Sequence, residues 1–285
     1  MKNTAVLLLS SPMALARKGV VAAISQFLVA HNGSILHTDD HVDHSRDLFL
    51  SRLEWDLDGF DIRTPDFEEH FKPVAERFQI NYHLALTDCR PKVAILVSAY
   101  DHCLADLLYR QNCGELACNI ITIISNHSSA KPLADFYKVP FHLLTNPADK
   151  RESEREMLEL LGQDVDLIVL ARYMQVLGPE FVAQYLLRMI NIHHSFLPAF
   201  VGAKPYEQAF ERGVKLIGAT SHYVTANLDE GPIIEQDVVR VSHRDTPEDM
   251  MRKGRDLEKV VLSRAVRWHL ENRILVYQNK TVVFV

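Results

Sequence analysis

Apolar and polar positions divide the chain into two successive patterns. In the first, residues 4–10 are an apolar run that predicts a strand, and Val20, Ile24, Phe27 and Leu28 fall on one stripe of a helix over 20–30. His31-Asn32-Gly33 stops that helix. Residues 34–42 and 48–55 predict strands flanking the polar turn Asp43-His44-Ser45-Arg46. A helix over 66–78 follows Pro65, and 82–86 predicts a last strand. The order is βαββαβ, a ferredoxin-like unit over 1–87. Residues 87–91, Thr-Asp-Cys-Arg-Pro, read as a linker.

In the second pattern, over 88–285, strands and helices alternate. Strands are predicted over 93–97, 120–124, 141–144, 167–170 and 189–192, and helices over 102–110, 133–137, 151–161 and 179–185. Such alternation predicts a Rossmann-like, mostly parallel sheet with helices on both faces. A helix over 206–211, strands over 216–223 and 233–241 and a long helix over 247–270 follow. Arg252, Arg255, Lys259 and Arg264 of that helix read as a solvated face. Residues 274–277 and 281–285, around Asn279-Lys280, predict a terminal hairpin.

The 285 residues suit one large domain or two modest ones. The net charge of −6 carries no basic stripe, which argues against a nucleic-acid partner. The apolar run from Ala5 to Leu9 is too short for a signal-peptide core or a bilayer span, so a first strand explains it, with no membrane partner and a cytoplasmic location. Cys89, Cys103, Cys113 and Cys118 show no Cys-x-x-Cys spacing and are expected as free thiols.

The candidate chemistry sits at 189–198. Asn191 and His193 are two apart on a predicted strand, so their side chains face one side at its end, and Pro198 stops further pairing. A second stretch, 221–232, follows an apolar run and ends in a Gly-Pro turn, and its Asp229 is expected to return to His193. An Asn, a His and an Asp together suit hydrolysis or transfer of an acyl group. The amide donates to the developing oxyanion, the imidazole moves a proton, and the carboxylate fixes and charges the imidazole. Spacing alone leaves a buried histidine with a satisfied partner, and a turn aspartate, as the commoner alternative. His193 and His194, adjacent on an extended backbone, should point oppositely and make a poor metal pair. No His-Glu-x-x-His or Cys cluster offers other ligands, so neither a metal nor another cofactor is expected.

The motifs narrow this. Asn191-x-His193 with Leu197-Pro198, and an Asp-x-Gly-Pro element beginning 38 residues after the Asn, resemble the folate-dependent formyltransferase superfamily. Asn-Ile-His-His-Ser-Phe-Leu-Pro-Ala-Phe-x-Gly-Ala from Asn191, Glu-Arg-Gly-Val-Lys-x-Ile-Gly-Ala-Thr from Glu211 and Asn-Leu-Asp-Glu-Gly-Pro-Ile-Ile from Asn227 resemble its deformylase family over nearly the whole chain. That resemblance implies hydrolysis of 10-formyltetrahydrofolate to tetrahydrofolate and formate, with Asn191, His193 and Asp229 catalytic. It also implies a folate site walled by Met174, Gln175 and Leu177 on one side and by Val224, Thr225, Asn227 and Leu228 on the other. His222 matches a family position as either a catalytic or a loop-supporting residue. The first unit resembles an ACT domain, a module that binds amino acids between paired copies. This implies a homo-oligomer and an amino-acid effector near Gly19, or dimerisation alone. Pro12 to Gly19 is longer than in related domains, with Met13-Ala14-Leu15-Ala16 altered or inserted. In glycinamide ribonucleotide transformylases of the superfamily, the loop after the first strand of the formyltransferase domain carries glycines that cradle the acceptor's phosphate. Here the corresponding residues 97–102 have no glycine and carry Asp101, so water can replace the amine acceptor. A formyltransferase with an amine acceptor and a non-catalytic amino-acid-binding regulator are the alternatives.

Overall fold

The computed structural model describes residues 3–16, 18–146, 148–162, 164–199 and 205–285. Phe200, Gly202 and Ala203 of the first motif lie outside the described residues. Backbone contacts divide the chain into two units. One is Met1–Cys89 with Glu271–Tyr277 and Val282–Val285; the other is Arg90–Leu270 with Gln278–Thr281.

The first unit runs β1 (Thr4–Pro12), α1 (Met13–Ala16), α2 (Val20–Ala30), β2 (Ser34–Asp43), β3 (Leu48–Asp56), α3 (Phe67–Phe78) and β4 (Asn81–Leu86). Its strands form an antiparallel sheet in the order β2-β3-β1-β4. β1 is apolar at consecutive positions because both its faces are covered. Leu7 and Leu9 join Ile24, Leu28, Trp55, Phe67 and Phe71, while Val6 and Leu8 join Leu50 and Phe284. A strand with one wet face would alternate instead. Met13-Ala14-Leu15-Ala16 forms α1, and Gly19 precedes α2 at φ 102°, a left-handed conformation that glycine adopts without strain.

The second unit runs β5 (Lys92–Val97), α4 (His102–Asn112), β6 (Asn119–Ser125), α5 (Lys131–Tyr137), β7 (Phe141–Leu143), α6 (Lys150–Leu161), β8 (Leu167–Ala171), α7 (Pro179–Gln184), β9 (Met189–His193), α8 (Pro205–Glu211), β10 (Leu216–Tyr223), β11 (Ile233–Arg240) and α9 (Pro247–Leu270). Asp149 caps α6 by accepting from the Glu152 amide at 3.1 Å. The seven-stranded sheet has the order β11-β10-β9-β8-β5-β6-β7. β9, β8, β5, β6 and β7 are parallel, while β10 is antiparallel to β9 and β11 to β10. The chain builds outward from β5 to β7, then returns to the other side of β5 with β8. That reversal leaves a crevice beyond the carboxyl ends of β5 and β8, where open α/β sheets receive ligands.

A hairpin of β12 (Ile274–Tyr277) and β13 (Lys280–Val283) closes the chain. Leu275, Tyr277, Val282 and Phe284 pack on Val6, Leu8 and Leu50. Most of the hairpin therefore groups with the first unit, not with the 88–285 segment to which sequence order assigns it. The reason is the second apolar face of β1, which needs cover. Among the described residues, no helix is long and apolar enough to cross a membrane.

Candidate functional site

Asn191 and His193 share one side of β9, and both line a cavity of about 340 Å³ at its end. β10 runs beside them, with His222 opposite Asn191 and Thr220 opposite His193. The loop after β10 is pinned at both ends. Val224 N donates to Met189 O and Tyr223 N to Pro232 O, each at 2.9 Å. A Cβ on Gly231 would collide with the Tyr223 carbonyl oxygen, so the loop closes this tightly only on glycine. Asn227 Nδ2 donates to Glu230 Oε2 at 2.9 Å and braces the tip.

This loop brings Asp229 back to β9 with φ 56°, a conformation Asp tolerates better than most residues. Asp229 Oδ2 lies 3.2 Å from His193 Nδ1 and Oδ1 lies 3.6 Å from His222 Nε2. Burial pushes the Asp229 carboxyl up. His193, and more distantly His222, outweigh that and hold it well below the usual carboxylate range. The other ring nitrogen of His193, Nε2, is buried and has no partner among the described residues. His222 Nδ1 is 2.9 Å from the Tyr223 carbonyl oxygen, so it carries the hydrogen. In the neutral ring Nε2 then accepts from Asn191 Nδ2 at 3.2 Å. One N–H of Asn191 is thereby fixed, and the second meets no acceptor among the described residues. His222, which the sequence left between two roles, thus orients the amide.

The opposite orientation expected of His193 and His194 does not hold. β9 ends at His193, the backbone bends, and both rings line the cavity with centroids 5.4 Å apart. Burial, then the Arg172 guanidinium, pushes His194 down to about 3. It is therefore neutral in ordinary buffers.

Met174, Gln175, Leu177, Val224, Thr225, Asn227 and Leu228 all line the same cavity, with Met174 54% and Leu228 57% exposed at its rim. Ser98 Oγ accepts from Met174 N at 3.0 Å, tying the first wall to the end of β5. A slot of apolar side chains with a few polar groups fits a flat heteroaromatic ring.

Sequence reasoning passed over a buried polar cluster beside the cavity. Glu258 of α9 is fully buried. Its Oε2 is 2.8 Å from His102 Nε2, its Oε1 accepts from Tyr206 Oη at 2.7 Å, and Arg172 Nε lies 3.4 Å from Oε2. Burial raises the Glu258 carboxyl, but His102, Arg172 and Tyr206 outweigh it and keep it ionised. The available signal was a charged residue, Arg172, immediately after the apolar strand β8. His102, Cys103 and Glu258 are the one group among the described residues close enough to share a metal ion. Both Glu258 oxygens are engaged, a guanidinium stands beside one of them, and burial first of all pushes the Cys103 thiol up, so this donor set does not fit a cation.

Residues 91–266 match the family model described as Formyl transferase. The chain is 53% identical to a formyltetrahydrofolate deformylase of Synechocystis sp. over 99% of this chain and 98% of that one. The crystal structure of a formyltetrahydrofolate deformylase from Pseudomonas syringae pv. tomato superposes with a TM-score of 0.95 at 47% identity, covering 100% of this chain and 95% of that one. The crystal structure of glycinamide ribonucleotide transformylase 1 from Symbiobacterium toebii matches with a TM-score of 0.66 at 30% identity, over 69% of this chain and 95% of that one.

Proposed function

This chain belongs to the formyl transferase family and, within it, to the formyltetrahydrofolate deformylases, and from that premise we propose that Asn191, His193 and Asp229 hydrolyse 10-formyltetrahydrofolate to tetrahydrofolate and formate. One observation carries the assignment of roles: His193 is held at Nδ1 by Asp229, while its buried Nε2 has no partner among the described residues and Asn191 lines the same cavity. Water adds to the formyl carbon and the carbonyl oxygen becomes an oxyanion. The free N–H of Asn191 donates to that oxygen. The tetrahedral intermediate collapses by breaking the bond from carbon to N10. An amide anion is a very poor leaving group, so N10 takes a proton from His193 Nε2 as it departs. Asp229 stabilises the imidazolium that supplies it. The attacking water loses its protons to the imidazole and to solvent, leaving formate.

Met174, Gln175 and Leu177 opposite Val224, Thr225, Asn227 and Leu228 form the folate slot in this reading. Water serves as acceptor because the loop after β5 offers Ala99, Tyr100 and an exposed Asp101 where a phosphate would need converging amides. The reaction needs no metal or other cofactor. The test is formate release from 10-formyltetrahydrofolate with no amine present. Formyl transfer to glycinamide ribonucleotide without hydrolysis would favour the amine-acceptor alternative, and neither activity would favour a non-catalytic regulator.

The same proposal extends to the first unit, read as a ferredoxin-like ACT domain that assembles the chain into a homo-oligomer. The support is the βαββαβ order with strands β2-β3-β1-β4 and exposed positions along the edge strand β2. An amino-acid effector would bind near Gly19, where α1 lengthens the loop. A monomeric mass at micromolar concentration would sink the assembly. Unchanged melting and turnover with every amino acid would leave the unit structural only. Four free cysteines support a reducing compartment, the cytoplasm.

A further inference from the structure

Arg172 is the residue of this cavity whose environment the catalytic roles leave unexplained. It is 8% exposed and lines the cavity. It stands two beyond Leu170 of β8, the register partner of Asn191, just as His193 stands two beyond Asn191 on β9. Its φ is 62°, a left-handed backbone that a long side chain rarely adopts, and such residues cluster at ligand clamps. Its charge is balanced by Glu258, yet two of its nitrogens make no hydrogen bond among the described residues. Nε at 3.4 Å from Oε2 is an ion pair without hydrogen-bond alignment, and Nε and Nη1 are buried with no partner among the described residues. Glu258 cannot turn to meet them, because His102 and Tyr206 engage its two oxygens. The Tyr100 ring, 5.4 Å from the guanidinium carbon, covers a face of the group and does not meet the in-plane donors of Nε and Nη1. Buried donors without partners are costly, and a guanidinium offers donors only, so the missing partner is an acceptor.

We propose that Arg172 is the seat of the formate product, a subsite for a small planar carboxylate opening off the folate slot. This rests on the hydrolase reading above, since hydrolysis creates a carboxylate in this cavity and transfer to an amine does not. The open N–H donors of Nη1 and the guanidinium charge suit a carboxylate oxygen. Neutral His194 beside it adds no competing charge. Once the bond to N10 has broken, formate moves from the oxyanion position to Arg172, and N10 keeps the proton it received.

The test is formate affinity of the resting full-length protein. It is measured by line broadening of ¹³C-formate and by formate inhibition of turnover, at constant ionic strength with chloride, acetate and inorganic phosphate as comparison anions. Wild type should bind formate more tightly than chloride or phosphate. Arg172→Met should weaken formate about 10- to 100-fold, the range for a hydrogen bond to a charged group, and Arg172→Lys should lose less. Formate affinity unchanged in both variants overturns the proposal, as does phosphate or chloride binding wild type as tightly as formate. If neither variant folds, the anion series on wild type decides alone. A wild-type enzyme that releases no formate would sink the hydrolase reading, which turnover reports separately from binding to the resting protein.

Discussion

Replacing Asp229 by Asn tests the core of the site with little disturbance to its shape. Asn has nearly the volume of Asp and accepts the left-handed backbone at φ 56°, so the loop after β10 should keep its course. What changes is charge. A carboxylate oxygen 3.2 Å from His193 Nδ1 interacts with an imidazolium by about 5 kcal/mol at an effective dielectric of 20. The amide oxygen of Asn can still accept a hydrogen bond from His193 Nδ1, so part of this survives. The expected loss in turnover is about 10³-fold, or roughly 4 kcal/mol of transition-state stabilisation. Folate affinity should move far less, because the carboxylate acts on charge that appears only during the reaction. The assay is formate release at saturating 10-formyltetrahydrofolate without an amine, together with equilibrium binding of tetrahydrofolate. Turnover within about fivefold of wild type would refute the role of Asp229, since a direct partner of a charged imidazole cannot be worth so little. A matching loss of folate affinity would instead assign Asp229 to binding.

Asn191→Ala and His193→Ala should each cost on the order of 10²- to 10³-fold in turnover, and the triple variant with Asp229→Asn should be little worse than the worst single, as kinetics on all four will show. His194 sets a pH dependence of stability. Its folded value is lowered to about 3, so from about pH 6.5 down to 3 the unfolded chain binds a proton that the folded protein does not. Stability should therefore fall with decreasing pH through that window, with a His194 contribution approaching about 1.4 kcal/mol per pH unit. Urea titrations of His194→Gln should lack that part of the slope. Gly231→Ala forces a Cβ into the Tyr223 carbonyl and should lower stability by more than about 2 kcal/mol, with turnover falling as Asp229 is displaced; an unchanged urea midpoint would contradict the contact. Ala99→Gly with Asp101→Gly should not produce measurable transfer to glycinamide ribonucleotide, because removing one charge does not assemble a set of converging amides.

Much of this site was legible in the chain because its parts are local and its motifs long. Period two put Asn191 and His193 on one side of β9, and the Gly-Pro turn after Asp229 announced a reversal. The glycine there is explained only in space, by the carbonyl of a residue eight positions earlier. His194 went astray because period two was extended past the end of the strand, where the backbone bends. The hairpin went astray for another reason. Sequence order assigns a segment to its neighbours, whereas burial assigns it to whichever apolar face lacks cover, and β1 at the other end of the chain had one. Arg172 and Glu258 were hidden most deeply. They lie on β8's trailing loop and on α9, and no local period relates positions 172 and 258. In helical spacing Glu258 reads as one more charge of a solvated surface, yet it is the fully buried member of α9 that engages His102 and Tyr206. A charge on the buried stripe of a helix demands a partner, and its partner demands one in turn. Following that demand from Glu258 to Arg172 ends at donors that meet no acceptor among the described residues, in the cavity where the proposed hydrolysis makes a carboxylate.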